Sequence, residues 1–154
     1  LITISVVPPL FVVSMVLNHQ PPPEPTLTVT LGIEVQLHRS RGDQESPRLL
    51  PVLTVTNPTS DRWRNVAVCL NKQFFYYHPG ELAANENFAT PLEFFVTKGG
   101  NVAFQPGSES VHQVTVYAQI PSGARAVSEN YFAADGQPLA PASHPPAAKP
   151  TKDP

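Results

Sequence analysis

Apolar and polar positions alternate along most of this chain with a period of two rather than 3.6. From Leu27 the stretch "TLTVTLGIEVQLH" places Leu27, Val29 and Leu31 on one face, followed by Ile33, Val35 and Leu37. This is the pattern of a strand with one covered face. Gly32, in its middle, reads as a change of register and predicts a β-bulge or bend. Strand signals of the same kind recur in "LLPVLTVTN", "WRNVAVCLN", "QFFYYH", "LEFFVTK", "NVAFQ", "VHQVTVYAQI" and "ARAVSE". Turn formers separate them, namely "NPTSD", "HPGE", "TKGGN", "QPGSES" and "PSG". No helical periodicity longer than two turns follows residue 18. About eight short strands within roughly 100 residues predict a mainly β chain, an antiparallel β-sandwich over residues 26–129.

The opening run, "LITISVVPPLFVVSMVL", breaks this pattern. It carries no charged residue and as a helix would span about 26 Å, just short of a hydrocarbon core. Pro8 and Pro9 remove two backbone donors and predict a kink, which membrane helices tolerate where neighbouring protein satisfies the freed carbonyls. Two other readings compete. A secretory signal needs a basic start and a small-x-small cleavage site, and "SMVLNHQ" offers none. A pair of core strands, "LITISVV" and "LFVVSMV", could instead bend at the prolines. The segment behind the run favours an anchor over 1–18, with Pro8, Pro9, Leu10 and Phe11 at its centre and the bilayer as its partner. Residues 19–25, "HQPPPEP", predict a stiff polyproline spacer of about 3.1 Å per residue.

Composition narrows the partners. The net charge is -2 and only 14% of residues are charged, so no long-range attraction draws the chain to nucleic acid. Its 19 prolines are more than twice the usual share of about 5%, and they gather at 21–25 and 138–154. The Pro/Ala-rich tail, 130–154, has too few apolar residues to pack alone and predicts an extended segment.

Candidate chemistry is sparse. The single cysteine, Cys69, cannot form an internal disulfide, and in "NVAVCLN" it reads as a small filler beside Ala67, opposite Val66, Val68 and Leu70. None of the five histidines forms an H-x-H or H-x-x-x-H pair. A blue-copper site needs a histidine soon after the cysteine and a methionine nearby, whereas Cys69 is followed only by His78 and the one methionine is Met15. There is no G-x-S-x-G elbow or glycine-rich phosphate loop, and nothing pairs Asp61, Glu93 or Glu109 as acid and base. The expectation is a protein that is not an enzyme and takes no metal or cofactor. The tripeptide Arg41–Gly42–Asp43 sits in a charged loop that turn geometry alone explains.

The aromatic residues say more. "QFFYYH" sends Phe74 and Tyr76 to one face and Phe75 and Tyr77 to the other. A sandwich strand has one core face, so the second pair needs cover from a loop, a partner or lipid. Phe94 and Phe95 repeat the pattern, and Trp63, between Arg62 and Arg64, suits either a core or an interfacial position. These seven aromatic residues form the candidate protein interface.

The succession "LTVTNPTSDRWRNVAVCLN … FQPGSESVHQVTVYAQIP" resembles bacterial extracytoplasmic immunoglobulin-like or fibronectin type III-like domains. The likeness covers about two thirds of the chain and lacks the inter-sheet cysteine pair of antibody domains. It implies a binding or spacer module, commonly outside the cytoplasm. Together these features predict a non-catalytic accessory subunit, membrane-anchored with its sandwich on the periplasmic side. Its partners would be other subunits of a membrane complex, such as a photosynthetic reaction-centre, light-harvesting or respiratory assembly. The alternative is a free-standing periplasmic or cell-surface binding module.

Overall fold

The computed structural model describes residues 24–38, 47–133 and 138–139. Pro8, Pro9, Leu10, Phe11 and the tripeptide at 41–43 lie outside the described residues, as does most of the tail. Eight strands follow in chain order: β1 (Thr30–His38), β2 (Arg48–Thr56), β3 (Arg64–Leu70), β4 (Phe74–Tyr77), β5 (Asn87–Pro91), β6 (Val96–Thr97), β7 (Gln113–Gln119) and β8 (Arg125–Tyr131). They form a three-stranded sheet, β1-β2-β5, and a five-stranded sheet, β6-β4-β3-β7-β8, and every strand pairing within them is antiparallel.

Alternation builds the core. Leu53 and Val55 of β2 are buried in one apolar cluster with Val66, Val68 and Leu70 of β3, Val114 and Val116 of β7 and Ala126 of β8. Each such side chain contributes about 1.5–3 kcal/mol of burial free energy. Trp63 and Leu82 exchange two backbone hydrogen bonds at 2.9 Å. This pins the loop before β3 over the sandwich edge and seats the indole in the core.

Several local expectations need correcting. Gly32 makes no bulge, because the β1–β2 ladder runs unbroken from Thr30↔Thr56 to His38↔Arg48. The apolar positions from Leu27 to Leu37 all share one parity, so no register change was encoded there. The irregularity lies in β3, where Arg64 pairs Gln119 but Ala67 pairs Tyr117. One extra residue on β3 is a bulge, and Asn65 turns it with φ 49°, a left-handed conformation that asparagine accepts better than other side chains. "LEFFVTK" is mostly not a strand: Leu92–Phe94 form a 3₁₀ turn that leads into the two residues of β6. "NVAFQ" contributes only a single bridge, Ala103 to Val96.

The sandwich also extends past Glu129. Strand β8 runs to Tyr131, and Phe132 is buried in the core. Residues 25–27 and 138–139 both meet the open edge of β8. The Leu27 amide donates to the Val127 carbonyl at 2.9 Å, and the Val127 amide donates to the Pro25 carbonyl at 3.1 Å. Near the other end of β8 the Leu139 amide donates to the Tyr131 carbonyl at 2.7 Å, and Phe132 bridges Pro138 in antiparallel sense.

Candidate functional site: the outward face of the five-stranded sheet

Residues paired across a ladder share a face, so the register maps the surface of the larger sheet. One outward row runs Tyr77–Ala67–Tyr117–Val127, and the next runs Phe75–Cys69–Thr115–Glu129. Arg64, Gln119 and Arg125 form the row at the turn end. This is the side of the sheet away from the core, yet it is rich in rings.

Tyr77 is 68% exposed. Its ring stacks on Phe75 with centroids 6.4 Å apart and planes within 13°, as side chains two residues apart on one face allow. Across the small Ala67, Tyr117 is half-buried under Arg125, whose guanidinium carbon stands 4.3 Å from the ring centroid, a cation–π contact. Between these walls lies a groove of about 350 Å³ lined by Asn65, Ala67, Tyr77, Tyr117, Gln119 and Arg125. The β3 bulge shapes one end of it. There the Asn65 Nδ2 donates to the Gln119 Oε1 at 3.1 Å, and the Gln119 Nε2 donates to the Gly123 carbonyl at 3.1 Å. Beyond Gln119 a second groove of about 370 Å³ continues past Arg62 and Arg64. Both arginines pair with Glu81, at 3.0 and 2.8 Å.

Burial raises the pKa of two groups on this face. Cys69, covered although its alternation points outward, has its thiol pushed up mainly by burial, with a backbone hydrogen bond from Lys72 opposing. The Tyr117 phenol is pushed up by burial first, then by the negative charge Cys69 would carry, while Arg125 opposes the rise. Both groups therefore stay neutral at neutral pH.

The candidate interface residues separate cleanly. Trp63, Phe74 and Phe95 are buried in the core, where Phe74 meets Phe104 edge-on at 5.3 Å and Phe95 meets Tyr76 at 5.5 Å; they have no surface to offer. Tyr76 packs half-buried on that core. Phe94 is exposed but sits elsewhere, against His38 of β1 at 6.1 Å. Only Phe75 and Tyr77 belong to the groove face. Sequence reasoning missed Tyr117, Arg125 and Asn65. A usable signal existed for Tyr117: in "QVTVYAQ" it shares the polar parity of Gln113, Thr115 and Gln119, whereas Val114, Val116 and Ala118 take the core side.

Among the described residues no group of three or more His, Cys, Asp or Glu side chains could hold a metal ion, and no helix is long and apolar enough to cross a membrane. No family model, curated protein or solved structure matches this chain.

Proposed function

We propose that this chain is a non-catalytic, membrane-anchored accessory module that binds a protein partner through the Phe75–Tyr77–Tyr117–Arg125 face of its larger sheet. The observation that carries the reading is Tyr77, a large ring 68% exposed on the non-core side of a strand and stacked on a second ring. Solvent alone gives no reason for such placement. Tyrosine and arginine dominate binding energy at protein interfaces, and the half-covered Tyr117–Arg125 pair is held in position before any partner arrives.

The strand order supports an immunoglobulin-like, specifically fibronectin type III-like, module. Strands β1-β2-β5 face β4-β3-β7-β8, the arrangement A-B-E against C′-C-F-G, with β6 added at the C′ edge. The anchor rests on the uncharged run Leu1–Leu17 and the proline spacer behind it. Through that anchor the module is held beside other subunits of a membrane complex.

The test is purification of the intact protein from its native membrane in mild detergent, with mass spectrometry of what accompanies it. A stoichiometric partner is expected, and it should be lost from the Tyr77→Ala/Arg125→Ala double variant while the circular dichroism spectrum holds. A protein that runs alone at monomer size overturns the accessory-subunit reading and leaves the free-standing module in its place.

A further inference from the structure

The sheet edges of this molecule are not equally protected. The edge of β8 is bonded to residues 25, 27 and 139, β6 has two residues, and β5 ends in a proline. Strand β1 has nine residues and lies at the edge of its sheet, beside β2 alone. It carries none of the devices that keep edges apart, with no proline, no lysine and a single carboxylate, Glu34. The direction of its hydrogen bonds follows from the pair Val35↔Pro51. Pro51 has no amide, so the bonds here belong to the flanking pairs, Glu34↔Val52 and Gln36↔Leu50. The amides and carbonyls of Leu31, Ile33, Val35 and Leu37 therefore point away from β2. Among the described residues no backbone group answers them.

We propose that a second copy of this chain pairs with this edge, antiparallel and with Val35 opposite Val35, so that two three-stranded sheets join into one. The sequence around Val35 is complementary to its own reverse. Ile33 meets Leu37, and Glu34 meets Gln36, an acceptor opposite a donor. Gly32 meets His38, and a Cβ at Gly32 would have nothing within 4 Å, which leaves room for the imidazole, as rings cover edge glycines across paired strands. His38 is already held by Phe94, edge-on at 6.1 Å. Ile33, Val35 and Leu37 make the hydrogen-bonded pairs, with about six backbone bonds between the copies. The exposed side chains of Val35, Leu37 and Leu49 then continue into their counterparts as one apolar stripe. Neighbouring registers fit less well. Centring on Glu34 sets two carboxylates opposite each other, centring on Gln36 loses a hydrogen-bonded pair within the strand, and centring on Ile33 leaves Leu37 and Leu49 bare. The pairing is isologous and closes at two copies. A single strand pair is narrow beside the roughly 1,600 Å² of stable complexes, so the dimer forms as concentration rises and dilution bares the overhang. It also leaves the outward face of the larger sheet free, and so stands apart from the proposed function of that face.

Sedimentation velocity of the full-length protein in mild detergent, across a wide range of concentration, tests this. A monomer–dimer equilibrium is expected. Val35 is exposed, so a charge there spares the fold. Val35→Lys and Val35→Glu each place like charges opposite one another in the dimer and should each weaken association about tenfold or more. An equimolar mixture of the two variants should recover it. Gly32→Val fills the seat of His38 and should also weaken association, while its urea midpoint in dilute, monomeric solution stays at or above the parent's. A chain that is monomeric at every concentration overturns the proposal. So does a dimer that both charged variants retain, since the contact then lies elsewhere, for example in residues 1–18. If both variants are monomeric and their mixture stays so, Val35 does not face Val35 and the proposed pairing falls.

Discussion

Asn57 is the polar residue on which the most loop structure depends. It is fully buried, and its Nδ2 donates to the carbonyls of Asp61, at 2.7 Å, and Ala83, at 3.0 Å. Its Oδ1 accepts from the Thr59 amide at 3.0 Å and the Thr59 hydroxyl at 2.6 Å. One side chain thus fastens the β2–β3 turn to the segment before β5. Asn57→Ala removes these partly buried bonds at once and should cost about 1–3 kcal/mol, read as a lower urea midpoint at unchanged slope. Asn57→Asp keeps the shape but removes the donors to the carbonyls, and should be no milder. Cys69 supplies a pH signature. Burial raises its thiol above the ordinary value of about 8.5, so the folded state holds this proton to higher pH than the unfolded chain does. The associated stability is fully present below the ordinary value and is lost as pH rises from there through the raised folded value. Urea midpoints at pH 7 and pH 10 should differ less in Cys69→Ala than in the parent, whatever constant offset the lost sulfur brings. Parallel losses would assign the alkaline limb to other groups, Tyr117 first.

At the scale of elements, the β1–β2 hairpin outruns the sandwich. Strand β5 covers β2 only from Val52 to Thr56, so beyond Glu34, the partner of Val52, the ladder has no third strand. There Val35, Leu37 and Leu49 stand 66%, 67% and 69% exposed, although they share the parity of Leu31 and Ile33, which pack on the core. Pro51 sits one residue past the last β2–β5 pair, where a missing amide is tolerated. Local opening should follow this gradient. In native-state hydrogen exchange, amides of β1 beyond Glu34 should exchange well before those of β3 and β7, which wait for global unfolding. Uniform protection along β1 would mean that something covers the overhang. The same elements show what the sequence made legible. Strands with a marked apolar parity and several β-branched residues, β2, β3 and β7, stand out from pattern alone. Strand β5, "NFATP", carries no such pattern; it is specified by pairing with β2, a long-range fact that no local window contains. The bulge at Asn65 was hidden for a related reason, since a register break is a property of two strands and only one of them is visible in a window.

For the whole molecule, alternation sufficed to foresee an antiparallel β-sandwich, but which aromatic rings lie inside it depends on how the sheets face each other. Trp63, Phe74 and Phe95 went to the core, and Tyr117, whose parity alone betrayed it, joined the exposed face. The architecture also bears on the apolar run at the start of the chain. The buried cluster of the described residues begins at Leu27, and the first backbone ties to β8 come from Pro25 and Leu27. An anchor over 1–18, as proposed, takes no part in that core, whereas a pair of core strands would. Deleting residues 1–18 should therefore leave a domain that stays in solution without detergent and unfolds cooperatively at the midpoint of the full-length chain. Extending the deletion through Leu27 should lower that midpoint, because it strips both hydrogen bonds from Val127, uncovers the edge of β8 and removes a buried leucine worth about 1.5–3 kcal/mol. If the shorter deletion already abolishes folding, "LITISVV" and "LFVVSMV" belong to the sandwich as strands, and the membrane anchor falls with the accessory function built on it.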